Sequence, residues 1–165
     1  MRHTNDPEID EQVRAFGDNM RAARLNAGLS QVALSEATQL DRAAISFLER
    51  AERSPDLSTL VRVAAALAVT PADLMKDIGS AAVGAAGVEQ ESGLPPEPAQ
   101  RLGANLRAAR KQAGLSQEAL AYDADVDRAA ISVYERGGRG PNLRTVLKLA
   151  RALRLRPAVL FDGVG

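Results

Sequence analysis

Cysteine is absent from this chain. No disulfide framework, zinc-thiolate cage or thiol nucleophile can be built from it. Histidine occurs once, as His3 in the polar start MRHTNDPEIDEQ, which leaves imidazole catalysis without support. Tryptophan is missing and there are only three Phe and two Tyr, so the 45% of hydrophobic residues rests on Ala, Leu and Val. Such a composition favours small helical domains whose helices approach closely. Lysine is confined to Lys76, Lys111 and Lys148, and arginine carries the rest of the positive charge. With the excess of alanine, this points to a GC-rich, bacterial genome. No apolar run approaches the ~18 residues of a membrane span, and the N-terminus lacks the apolar stretch of a secretory signal. The expectation is a cytoplasmic protein. The formal net charge of zero selects no partner.

Catalysis is not expected either. There is no Ser/His or Cys/His set and no metal-ligand cluster, and neither GSAAVGAAG nor RGGRGP has the glycine spacing and context of a phosphate-cradling loop. We expect no enzyme, no cofactor and no metal.

What is present is a repeat. DRAAISFLER, from Asp41 to Arg50, returns as DRAAISVYER from Asp127 to Arg136, with eight of ten letters identical. A shift of 86 aligns residues 16–75 with 102–161 without a gap. Two units of roughly 60 residues are too long and too few for a solenoid and suit two copies of one small domain. The expected organisation is an N-terminal domain over 1–77 (core 16–75), a linker over 78–100 and a C-terminal domain over 101–165 (core 102–161). The linker is rich in Gly, Ala, Ser and Pro, and as a flexible coil it would span roughly 25 Å.

Each copy reads as five helices, all-α. The first starts as early as Pro7, with Asp6 as cap, and stops at Gly28. Ser30 opens the second, and Asp41 or Asp127 the third. Asp56 and Asn142 cap the fourth, whose apolar residues recur at helical spacing. The fifth is short and begins at Pro71 or Pro157. A very short turn near Gln39–Leu40 joins the second and third helices, the helix-turn-helix arrangement. Along the third helix, Ile45 and Leu48 (Ile131 and Tyr134) face the core. Arg42, Ala43, Ser46, Phe47 and Arg50 fall largely on the opposite face. Arginine among small residues suits a DNA major groove, where Arg reads guanine or phosphate and small side chains permit close approach.

The motifs GLSQ..L, IS..ER and P.L.T……AL recur at fixed spacing in both copies. With them, the chain resembles the phage-repressor and Cro type of helix-turn-helix, the Xre family. The resemblance covers about three quarters of the sequence and implies a role for each matching residue. Gln31 and Gln117 would contact a phosphate and brace a neighbouring base-contacting side chain. Arg42 and Arg128, Ala43 and Ala129, and Phe47 and Val133 would take the base-reading positions, with Ser46 and Ser132 beside them. Phe47 has an equal alternative in the core or at a dimer contact. Arg50, Arg53, Arg136 and Arg139 would meet phosphates, which fix register while base edges carry sequence. Arg24 with Glu49, and Arg110 with Glu135, would form partly buried ion pairs that position the third helix.

The copies differ in charge. Residues 16–75 hold six basic and seven acidic residues, a net of −1, whereas residues 102–161 hold eleven and five, a net of +6. Copy two would therefore bind DNA more strongly, although Arg144, Lys148, Arg151, Arg154 and Arg156 follow the reading helix and some would lie away from the duplex. Glu52 and Asp56 sit in the loop of copy one that would approach the backbone. The expected function is a sequence-specific, repressor-like transcriptional regulator reading double-stranded DNA at a bipartite site, one chain supplying both readers. The alternative is that only the C-terminal copy holds DNA. The N-terminal copy would then be a dimerisation or protein-interaction module, discriminated by whether its Arg42 face is open or covered. A homodimer is compatible with either.

Overall fold

The computed structural model describes residues 6–79 and 97–165; His3 and residues 80–96 of the expected linker lie outside the described residues. Among the described residues ten helices follow one another: α1 Pro7–Asn26, α2 Gln31–Thr38, α3 Arg42–Glu49, α4 Leu57–Ala66 and α5 Pro71–Leu74. The second copy repeats them as α6 Pro98–Gln112, α7 Gln117–Ala124, α8 Arg128–Glu135, α9 Leu143–Ala152 and α10 Pro157–Leu160. The all-α, two-copy reading holds, down to Asp6 as the cap of α1, where its side chain accepts a hydrogen bond from the Ile9 amide.

Local chemistry accounts for most boundaries. Ser30, Ser116, Asp56 and Asn142 each accept from the backbone amide three residues on, satisfying one of the orphan donors at a helix start. Gly28 and Gly114 end α1 and α6 at φ 69°, a left-handed conformation that glycine adopts without the backbone strain a side chain brings. Asp127 caps α8 through its carboxylate, but Asp41, at the matching position, makes no side-chain cap bond.

Helices of eight residues are marginal alone. Here α3 and α8 are held by burying Ile45 and Ile131 completely. The α1–α3 crossing is close: a Cβ on Gly17 would fall 2.7 Å from the Glu49 carbonyl oxygen, and one on Gly103 would strike the Tyr134 carbonyl. Asn19 ties α1 to the end of α5, its amide donating to the Leu74 and Lys76 carbonyls, and Asn105 repeats this with Leu160 and Asp162.

The two copies pack on one another and share one continuous apolar core. Helix α5 lies against α10, α1 against α9, and α6 against α4. Exchanging the copies converts the second contact into the third and leaves the first unchanged, so the halves are related by an approximate two-fold axis. Asp56 and Asn142, the same position in the two copies, sit on that axis in an antiparallel backbone bridge. The Leu143 amide donates to the Pro55 carbonyl at 2.9 Å, and Gly140 lies so close to Leu57 that a Cβ would not fit.

One feature breaks the symmetry. In register, Pro98 corresponds to position 12, so α1 begins five residues earlier than α6. This extra turn carries Asp6, Glu8 and Asp10, which pair with Arg151 and Arg144 of α9. Ile9 beneath them is fully buried. At the related place in the other half, a cleft of about 450 Å³ lies open between α4 and the start of α6, lined by Leu57, Val61, Arg62 and Pro98 among others.

Candidate nucleic-acid interface

The outer faces of α3 and α8 carry the residues singled out above. Arg42, Ala43, Arg50 and Arg53 are exposed, as are Arg128, Ala129, Arg136 and Arg139. Ser46, Phe47, Ser132 and Val133 are half-buried beside them. The left-handed residues Gln39 (φ 54°) and Asp125 (φ 50°) make the tight turns that bring α2 onto α3 and α7 onto α8.

Behind each face lies a three-residue network. Arg24 donates through Nε and Nη2 to the two carboxylate oxygens of Glu49, at 2.5 and 3.2 Å, and Gln31 Nε2 donates to Glu49 Oε2 at 2.8 Å. Arg110, Glu135 and Gln117 repeat the arrangement at 2.5, 2.9 and 2.8 Å. A third guanidinium bond reaches the Leu29 or Leu115 carbonyl and fixes the loop before α2 or α7. Burial pushes the Glu49 and Glu135 carboxyls up, but the arginine and glutamine hydrogen bonds outweigh it and hold both below the ordinary glutamate value. The expected ion pairs are thus present. Each glutamine extends them, and its amide is turned inward to the carboxylate in the DNA-free protein.

At the C-terminal ends of α3 and α8 the copies diverge. The Phe47 ring lies under two guanidinium groups, with Arg50 Cζ 5.4 Å and Arg53 Cζ 5.1 Å from its centroid, a cation–π arrangement. Phe47 is neither in the core nor a free apolar knob; it is a platform for two arginines. Arg50 also donates to Ser46 Oγ and to Glu52. In copy two, Arg136 donates to Ser132 Oγ at 2.6 Å, while Gly138 stands where Glu52 is and Val133 where Phe47 is.

The charge difference between the copies shrinks once Arg144 and Arg151 are seen to pair with the acidic first turn of α1. Lys148 pairs with Asp125, whose charge the net of +6 already includes. Three of the five extra basic residues of copy two are therefore engaged within the chain. Asn19 and Asn105, which set the angle of α1 and α6, escaped the sequence reading; their recurrence 86 positions apart was the available signal. Among the described residues no group of three His, Cys, Asp or Glu could hold a metal, and no helix is long and apolar enough to cross a membrane.

A family model described as helix-turn-helix matches residues 20–74 and again residues 106–160. Over 51 residues the chain is 39% identical to the control protein C.BamHI of Bacillus amyloliquefaciens; the match takes in 31% of this chain and spans 63% of that protein. Among solved structures, the restriction-modification controller protein C.AhdI from Aeromonas hydrophila is 43% identical, with 38% of this chain and 96% of that chain covered and a TM-score of 0.38.

Proposed function

The chain belongs to the helix-turn-helix family of DNA-binding transcription regulators, twice over, and from that premise we propose that it acts as a sequence-specific regulator in which one polypeptide reads both halves of a bipartite operator. Two domains, 1–77 and 101–165, supply one reading helix each. Arg42 and Arg128 contact base edges or flanking phosphates, Ala43 and Ala129 permit close approach, and Ser46, Ser132 and Val133 line the groove beside them. Arg50, Arg53, Arg136 and Arg139 neutralise phosphates, and Gln31 and Gln117 brace the reading helix with a phosphate in reach. Likeness to a control protein favours a regulatory role.

The observation that carries the proposal is the approximate two-fold axis through Asp56 and Asn142. Separate homodimers of this design place two reading helices about one DNA turn, ~34 Å, apart. Here the same symmetry lies inside one chain, so the half-sites run as an inverted repeat, differing where Phe47 and Val133 differ. The Arg42 face is exposed, because the first helix packs on the inner side of α3 and its extra turn lies on α9, leaving the outer face of α3 uncovered. That favours DNA reading by both copies over the reading in which the N-terminal copy binds only protein.

The test is binding to a selected duplex pool by wild type, Arg42→Ala and Arg128→Ala. We expect both substitutions to abolish specific binding while residual salt-sensitive binding persists. Loss with Arg128→Ala alone would leave the C-terminal copy as the sole reader.

A further inference from the structure

The end of α3 carries a side chain that the end of α8 does not. Both helices terminate in the same way: Ala51 and Gly137 take φ 58° and 68°, and the next amide, of Glu52 or Gly138, donates back to the Phe47 or Val133 carbonyl. This six-to-one bond fixes the backbone at residue 52 directly beside Arg50. In copy one the Glu52 carboxylate meets the arginine fork, Arg50 Nε to Oε1 at 2.6 Å and Nη2 to Oε2 at 3.3 Å. Nη1 donates to Ser46 Oγ at 2.5 Å and one face covers Phe47. Three of the five N–H donors of this guanidinium are engaged, two of them by Glu52. Arg136 keeps the serine bond, and glycine replaces the carboxylate.

A carboxylate gripped through two arginine nitrogens has the geometry by which arginine grips a phosphate. We propose that Glu52 is a positioning residue that occupies the phosphate-binding fork of Arg50 in the DNA-free protein. The N-terminal half is thereby the weaker reader and seats on its half-site after the C-terminal half. This rests on the reading that both helix faces meet DNA. Glu52 competes with a phosphate for this fork, and that contact is missing where the carboxylate keeps it. Arg136 meets no such competitor, so copy two anchors the chain even after Arg144 and Arg151 are discounted.

The experiment measures affinity of the full chain for its selected duplex across a salt series, for wild type, Glu52→Gln, Gly138→Glu and Glu52→Gln in an Arg50→Ala background. One further phosphate contact steepens the dependence of log affinity on log salt by about 0.9, and its advantage falls about 3.5-fold between about 50 and about 200 mM salt. Glu52→Gln is expected to bind several-fold more tightly at low salt, with the slope steepened by that amount. Gly138→Glu is expected to do the reverse; the added Cβ makes only ordinary van der Waals contact there, 3.6 Å from Val133 Cγ1. In the Arg50→Ala background Glu52→Gln should change nothing, which separates action through Arg50 from a general charge effect. Unchanged affinity and slope for Glu52→Gln, or the same gain without Arg50, overturns the role of Glu52 while leaving DNA reading intact. A wild type that binds no duplex at any salt overturns both. Thermal unfolding of each variant shows that the fold is retained.

Discussion

Asp56 and Asn142 face each other across an antiparallel backbone bridge, although they are one and the same position in the two copies. A residue can meet its own counterpart in this way only near a two-fold axis. The chain is therefore built like a dimer whose subunits are covalently joined, and on the proposed reading joining makes the second contact with DNA intramolecular. We expect one chain per duplex, on an imperfect inverted repeat. Selection from a random pool, followed by the mass of the complex, checks both; a direct repeat, or two chains on one site, would contradict the axis.

The network behind α3 and α8 predicts a cost for breaking it. Arg24 and Glu49 are both buried, at 7% and 8% exposure. Glu49→Ala strands the arginine and should destabilise the protein by about 3 kcal/mol in urea unfolding, as for other buried pairs that lose one member. A loss below about 1 kcal/mol would mean that water reaches Arg24 freely.

The same carboxylates set an acid limit. Glu49 and Glu135 are held below the ordinary glutamate value of 4.5 when folded, so the unfolded chain takes up protons first as pH falls. Their contribution to stability is complete above 4.5 and is lost as pH drops through the folded values. The thermal midpoint should be level near neutrality and decline below 4.5, less steeply in Glu135→Gln. An unaltered profile in that variant would assign the acid sensitivity to other carboxylates.

Ala51 adopts the left-handed conformation that its counterpart Gly137 adopts without strain. Ala51→Gly is expected to stabilise the fold by about 1 kcal/mol. Gly137→Ala should cost more, because the added Cβ would fall 2.6 Å from Gln100 Cα. Equal and opposite effects would contradict this difference, which chemical denaturation of both variants can resolve.

The first turn of α1 fastens the halves by two unequal means. Ile9 is fully buried, and Ile9→Ala should cost about 3 kcal/mol. Asp10, paired with the half-exposed Arg144, should contribute only about 0.5 kcal/mol when changed to Asn, and less in high salt. Thermal melts at two salt concentrations separate the apolar contribution from the ionic one.

Much of this protein was legible in the sequence because the relevant physics is local. A cap acts over three residues, a left-handed glycine over one, and an apolar stripe over successive turns, so Ser30, Gly28, Asp56 and the burial of Ile45 could be read directly. The shift of 86 then revealed the second copy, and the family resemblance supplied the Arg24–Glu49 pair. Other features depend on how the two copies meet. The sequence placed Arg144 and Arg151 after the third helix of copy two, some of this charge away from the duplex, but could not show their partners, which lie 134 residues and more away at Asp10, Asp6 and Glu8. The stacking of Arg50 and Arg53 on Phe47, and the grip of Glu52, follow from the path of the chain after the helix ends. The two-fold axis is likewise a property of packing. Nothing within a few residues of Asp56 specifies that Asn142 lies opposite it; that is decided when α1, α4 and α5 bury their apolar faces against α9, α6 and α10.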